Sequence, residues 1–132
     1  MNRSIQYAAT LLIFCSGIHT AWSQNNSTAD AKITECKSQQ CFAIKFKTCD
    51  PATYTIVTGM GTAKYEILGK EEDGCRVKLI YLKNPNPSWE NKPLICTYDN
   101  TITFKKAAKK ALIAAMMGTG ETDCQGELLD LL

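Results

Sequence analysis

Histidine is almost missing from this 132-residue sequence, and its absence removes several catalytic designs. The single histidine, His19, lies in an N-terminal segment that resembles a cleavable leader. Without histidine, the rest of the chain cannot build a Ser-His-Asp triad, a Cys-His dyad or a histidine metal site. The sequence therefore favours a non-catalytic protein without a metal or other cofactor. A small histidine-free enzyme that uses carboxylate, serine or thiol chemistry is an alternative.

Other chemical motifs are also missing. No Cys-x-x-Cys pair occurs, which argues against a zinc site and a thioredoxin-like redox site. The segment Gly59-Met60-Gly61 joins two predicted strands, so it predicts a tight turn rather than a phosphate-binding loop. The acidic run Glu71-Glu72-Asp73 lacks calcium-loop spacing, and we interpret it as a solvated turn. A formal net charge of +2 with intermixed signs argues against nucleic acid as a partner.

No apolar run approaches the roughly 20 residues that a membrane-spanning helix needs. The first 23 residues instead contain a basic residue, Arg3, a short apolar region, and Ala21-Trp22-Ser23 with small residues before a cleavage point. We expect a signal peptide at residues 1–23, a flexible mature N-terminus at 24–35 and a single domain at 36–132. A retained membrane anchor is the alternative. Export to the periplasm or the extracellular space follows from the cleaved form.

Six cysteines follow the predicted leader, and an even number in an exported chain predicts disulfides. The spacing of Cys36 and Cys41 favours a structural cystine. Strand phases suggest a bridge between Cys75 and Cys96, and Cys124 could tie the C-terminal tail to the sheet or to the N-terminal segment. Six cysteines allow 15 pairings, so these assignments are hypotheses. The disulfide candidates are Cys36, Cys41, Cys49, Cys75, Cys96 and Cys124.

Alternating apolar and polar residues predict an antiparallel sheet of four to five strands. The predicted strands are residues 41–48, 53–58, 63–68, 75–82 and 94–98. A lysine-rich segment then has apolar residues at helical spacing from Phe104 to Ala115, with Gly118 to Gly120 as its end. Asp99, Asn100 or Thr101 could cap its start. The predicted fold is a disulfide-stabilised α+β domain in which one C-terminal amphipathic helix covers the sheet.

The segment KNPNPSWENKP, residues 83–93, is the best candidate for a binding site. It is longer than most hairpin connections, and long loops are often functional. Trp89 is the only tryptophan after the predicted leader, and tryptophan is prominent in binding hot spots. Trp89 could instead fold back as a lid over the sheet edge. The predicted contact residues are Trp89, Asn86 and Pro87, joined by Met60 from the turn at residues 58–62.

The sequence does not name a partner, so we expect an unidentified protein or envelope component. The lysine-rich helix permits a second hypothesis, a protein that acts at an anionic membrane surface. We consider membrane contact the weaker hypothesis, because such a helix more often packs its apolar stripe on a sheet and turns its lysines to water.

Overall fold

The computed structural model describes residues 32–120 and 123–132. The predicted signal peptide and residues 24–31 lie outside these residues. Thr34 and Glu35, which we assigned to the flexible N-terminus, belong instead to the first strand.

The described residues form one mixed sheet with two α-helices, which confirms an α+β fold. The sheet has six strands rather than four to five, and their spatial order follows the chain. The first two strands along the chain are parallel, whereas all later neighbours are antiparallel, so the prediction of a purely antiparallel sheet is wrong. The strands are β1 (Thr34–Cys36), β2 (Ala52–Thr58), β3 (Gly61–Glu71), β4 (Gly74–Lys83), β5 (Pro93–Tyr98) and β6 (Cys124–Gln125).

The segment that we predicted as the first strand, residues 41–48, is part of helix α1 (Gln39–Thr48). Its Phe-x-Ile-x-Phe alternation fits a strand. The two phenylalanines are also four residues apart, which places them on the same side of a helix. The helix buries Phe42 and Phe46 and leaves Ile44 63% exposed. Ser38 caps its start by accepting a hydrogen bond from the Cys41 amide at 3.2 Å. The segment forms a helix because a helix buries both phenylalanine rings, and this tertiary packing outweighs a weak local preference for a strand.

The predicted C-terminal helix is present as α2 (Phe104–Met117). Gly118 ends it in a left-handed conformation with φ 61°, as the glycines suggested. Thr103, rather than the three residues that we predicted, occupies the N-cap position, and its side chain makes no capping bond. Asp99 instead accepts bonds from the amide and hydroxyl of Thr101, which lowers its pKa. Helix α2 is followed by β6 and a short 3-10 turn at Leu129–Leu131, so it does not end the chain.

Both helices pack on the same face of the sheet. Phe104 of α2 lies between the two phenylalanines of α1, with ring centroids 4.8 Å from Phe42 and 5.4 Å from Phe46. Tyr65 and Tyr98 on the sheet pack against the same ring. Edge-to-face aromatic pairs add stability beyond the area that they bury. This aromatic cluster holds α1 and α2 against the middle of the sheet.

Three disulfides tie the elements together, which confirms a disulfide-stabilised domain. Cys36 pairs with Cys41 as predicted, and Cys124 joins the sheet through Cys96. The predicted bridge between Cys75 and Cys96 is wrong, because Cys75 pairs with Cys49 at the end of α1. Three disulfides indicate an oxidising environment outside the cytosol, in agreement with export.

The strand register explains the incorrect pairing. In the ladder between β4 and β5, Cys75 lies opposite Tyr98, and Cys96 lies opposite Val77. The two cysteines share a face but are offset by two residues, so they are not cross-strand neighbours. Cys96 is directly opposite Cys124 of β6, with their Cα atoms 4.1 Å apart.

A candidate binding site between two loops

The turn between β2 and β3 and the long connection between β4 and β5 meet at one end of the sheet. Together they line a cavity of about 470 Å³, which we call the loop groove. Its floor is made by residues of the helix-covered face, including Ile56, Ala63 and Tyr65. Its walls include Met60 from the turn and Trp89 from the long connection. The volume is within the usual range of small-molecule and side-chain pockets.

Gly61 brings the two walls together. A Cβ atom at Gly61 would lie 2.2 Å from the carbonyl oxygen of Lys83, where the long connection begins. The residue also has φ +145°, which side-chain-bearing residues rarely adopt. Glycine is therefore required for the turn to approach the base of the connection this closely.

The long connection is held by its own hydrogen bonds. Asn84 accepts a bond from the amide of Asn86 at 2.8 Å, and Asn86 accepts bonds from the amide and hydroxyl of Ser88. Glu90 accepts a bond from the Asn84 amide at 3.0 Å, which closes the connection on itself. Such side-chain to backbone bonds restrict a loop that lacks regular structure. A loop held in this way loses less conformational entropy when a partner binds.

Trp89 lies in a short 3-10 turn, Pro87–Trp89, and is half-buried. Its ring packs on Tyr81 with centroids 6.0 Å apart and with the planes inclined by 33°. It also contacts the hydrophobic core, while part of it faces the loop groove. The ring therefore covers Tyr81, as the lid interpretation requires, and forms a wall of the groove, as the binding interpretation requires.

The structure brings together three of the four residues that we predicted for the site. Trp89, Asn86 and Met60 line the loop groove. Pro87 is exposed and begins the 3-10 turn without lining the groove. Met60 is 76% exposed, which is unusual for a large apolar side chain. The exposed methionine is an apolar side chain that borders the groove.

Sequence reasoning missed the floor of the groove. Tyr65 and Tyr81 lie on neighbouring strands, but they are 16 positions apart in the sequence, and only the register of the sheet brings both into the lining of the loop groove. Burial, with a further effect of Tyr81, raises the pKa of Tyr65 to about 12. Burial also raises the pKa of Tyr81. Both phenols are therefore neutral in ordinary buffers and add no negative charge to the groove.

A second cavity of about 400 Å³ lies between β2 and α2, and we call it the edge groove. It shares Ile56 and Tyr65 with the loop groove. Lys105 and Lys109 of α2 form its charged side. No Asp or Glu is among the described residues that line either groove, whereas both grooves contain lysine.

Carboxylates gather elsewhere, around a cleft of about 410 Å³ near the turn from β3 to β4. Its lining includes the predicted acidic turn at 71–73, together with Asp99 and Asp123. Asp123 forms a 3.0 Å ion pair with Arg76. Within residues 32–120 and 123–132, no three His, Cys, Asp or Glu side chains are placed so that they could hold a metal ion.

The outer side of α2 combines charged and apolar residues. Its buried stripe consists of Phe104 and three alanines, which face the sheet. Ile113, Met116 and Met117 are exposed near its C-terminal end. In the described part of the chain, no helix has both the length and the apolar character needed to cross a membrane.

Comparison with known proteins does not identify the chain. No protein-family model matches the sequence, and no curated protein or solved structure matches it.

Proposed function

We propose that this protein is a small exported, non-catalytic binding module whose contact surface is the loop groove. The observation that carries the proposal is the meeting of two loops around an apolar cavity, with Met60 exposed at its mouth and Trp89 as a half-buried wall. An aromatic residue in a preorganised, partly apolar pocket is typical of interface hot spots. The proposed occupant is an apolar side chain of a protein partner in the periplasm or the extracellular space.

The composition of the groove supports a protein rather than a charged small molecule as partner. Lys83 is the only Lys, Arg, His, Asp or Glu among the described residues that line the groove. Asn84 and Asn86 supply amide groups at the rim. An apolar centre with a polar rim is the usual anatomy of protein interfaces.

A pulldown with the oxidised protein from its native envelope fraction or culture medium tests this proposal. The wild type and the variants Trp89→Ala and Met60→Ala are compared, with Met117→Ala as the control. Met117 is 71% exposed but lies on α2, outside the loop groove, so its truncation removes a similar apolar side chain elsewhere. We expect the captured protein to be lost with both groove variants and retained with the control.

Circular dichroism and a urea titration of each variant accompany the pulldown. Equal capture by Trp89→Ala, with the fold intact, would contradict the proposal. Unfolding of Trp89→Ala would support the lid role alone, and Met60→Ala then decides whether the groove binds, because Met60 is too exposed to support the fold.

The two other hypotheses remain proposals with less support. A membrane-surface role would depend on Ile113, Met116 and Met117, since the main apolar stripe of α2 packs on the sheet. Co-sedimentation with anionic liposomes tests it. A histidine-free enzyme that uses thiol chemistry lacks a nucleophile in the described residues, because all six of their cysteines are in disulfides.

A further inference from the structure

We propose that the second half of β2 accepts an acidic peptide in extended conformation as an added strand. An acidic group of this peptide would bind Lys105 and Lys109 in the edge groove. This inference deepens the proposed binding function, on which it rests, by naming the chemical class of the partner and the way in which it docks.

The second half of β2 has one edge on which no described strand lies. Strand β1 pairs with Ala52, Thr53 and Tyr54 and then ends at Cys36. Residues 55–58 pair with β3 on one side, and no described strand lies on their other side. Alternate residues of such a segment direct amide and carbonyl groups away from the sheet. These groups are the template for strand addition.

The open segment of this edge lacks a charged residue, a proline and a bulge. Natural sheets blunt exposed edges with lysine, proline, bulges or covering elements. The open segment reads Thr-Ile-Val-Thr, without a charge or a proline, and Val57 is 77% exposed. Its β-branched residues also favour an extended conformation. The segment is therefore suited to pair with another strand.

The edge groove lies beside this open edge. Tyr54 and Ile56 of β2 line the groove on one side, and Leu112 of α2 lines it on the other. Side chains of a strand alternate between the two faces of a sheet, so every second side chain of an added peptide would point toward this groove. The aromatic and aliphatic lining would accept apolar side chains.

The charged residues that line the edge groove favour an acidic peptide. Lys105 and Lys109 are four residues apart on α2, so they lie on the same side of the helix, and both are exposed. The groove that they line contains no carboxylate among the described residues. The first turn of α2 contains no acidic residue. Cations near a helix N-terminus oppose the helix dipole, and a bound carboxylate would offset this opposition.

The test begins with selection of a displayed random-peptide library on the oxidised protein. We expect selected peptides to be enriched in Asp and Glu, poor in proline and alternating in polarity. A synthetic copy of the most frequent peptide is then titrated by calorimetry into the wild type and into Lys105→Glu/Lys109→Glu. We expect the charge reversal to weaken binding by about tenfold or more, and added salt to weaken the wild-type complex.

Lys106→Glu is the matched control, because Lys106 is an exposed lysine on the same helix that does not line the edge groove. It should bind within about twofold of the wild type, since only long-range, salt-screened electrostatics change. Amide hydrogen exchange gives a second measurement. Binding should slow exchange at amides within residues 55–58, which a peptide held only by the lysines would not do.

Several results would overturn the inference. These are a selection that yields no binding peptide, selected peptides without acidic residues, equal binding by the charge-reversal variant, and unchanged exchange at 55–58. Dimerisation of the free protein through the same amides, or binding only after removal of residues 1–31, would assign the edge to another occupant and also overturn it.

The two proposals can fail separately. In one outcome, Trp89→Ala loses capture of the native partner, and Lys105→Glu/Lys109→Glu binds both the native partner and the selected peptide normally. This outcome would retain the loop groove and reject strand addition. Lysine-dependent peptide binding with normal capture by Trp89→Ala and Met60→Ala would retain strand addition and reject the loop groove.

Discussion

The indole of Trp89 packs on the ring of Tyr81 at a centroid distance of 6.0 Å, which joins the long connection to strand β4. The amide of Asn91 donates a 2.8 Å hydrogen bond to the carbonyl of Tyr81, so the backbone of the connection returns to the same residue. Tyr81 therefore anchors both the side chain and the backbone of the loop, and this anchoring creates the wall of the loop groove.

The partial burial of Trp89 predicts a moderate contribution to stability. Truncation of a fully buried tryptophan costs about 3–5 kcal/mol, so we expect Trp89→Ala to lower the free energy of unfolding by about 1–2 kcal/mol. Trp89→Phe should cost less, because a ring on Tyr81 remains. Urea denaturation followed by circular dichroism measures both. A loss as large as that of a core residue would indicate that Trp89 is mainly a lid.

We expect an alanine substitution at Gly61 to cost much more stability than the same substitution at Gly59. A methyl group at Gly61 would collide with the backbone carbonyl of Lys83, whereas nothing lies within 4 Å of a Cβ atom at Gly59. We expect Gly61→Ala to cost about 1–3 kcal/mol and to separate the walls of the loop groove. Gly59→Ala should change stability by roughly 0.5 kcal/mol or less. Thermal unfolding tests the energies, and equal midpoints for the two variants would contradict the close approach.

The helical assignment of residues 39–48 can be tested on its exposed and buried sides. Ile44→Lys should change the free energy of unfolding by roughly 0.5 kcal/mol or less, because Ile44 faces water. Phe46→Ala should cost about 3–5 kcal/mol, because Phe46 is fully buried. In a strand, the two side chains would share one face and both substitutions would be costly. Chemical denaturation of the two variants distinguishes the structures.

The disulfide that closes a short loop should contribute less to stability than the two that close long loops. Cys49 and Cys75 are 26 positions apart, and chain-entropy arguments give a loss of about 3.5 kcal/mol when such a loop is opened. Cys36 and Cys41 are 5 positions apart, which corresponds to about 2 kcal/mol. Paired alanine substitutions at each bridge, compared by denaturation midpoint, test this order. A larger loss at the shorter bridge would show that native packing, rather than loop closure, dominates.

Buried tyrosines predict weakening of the fold at alkaline pH. The pKa of Tyr65 rises from 10.0 to about 12, mainly through burial, and burial raises the pKa of Tyr98 as well. A raised folded-state pKa adds stability that is fully present below pH 10 and is lost as the pH rises through about 12. We expect phenolate absorbance of the native protein to lag behind that of the urea-unfolded chain above pH 10. Superimposable titration curves would contradict the burial of these phenols.

Local sequence was sufficient for some elements and insufficient for others. The alternation of apolar and polar residues predicted the strands between residues 52 and 98, because one face of each strand packs on the core and the other faces solvent. It failed at α1, where Phe42 and Phe46 fit both periods, and their packing against Phe104 and the sheet tyrosines favours the helix. The parallel β1 and the two-residue β6 are too short to have a pattern of their own.

The residues of the candidate site were also predictable from the sequence only in part. Composition identified Trp89, Asn86 and Met60, because prolines, asparagines and glycines mark loops, and a lone tryptophan in a loop is conspicuous. It could not identify Tyr65, Tyr81 or the open edge at 55–58, since these depend on the register of β3 and β4 and on the point where β1 ends.

The sequence by itself determined that this chain is a cysteine-bridged α+β domain with no histidine after His19. Composition and short-range periodicity suffice for these conclusions. The tertiary structure alone decided that Cys75 pairs with Cys49 and Cys96 with Cys124, which face of α1 is buried and which residues form the two grooves. These features depend on contacts between residues far apart in the sequence, and strand register and ring packing set those contacts.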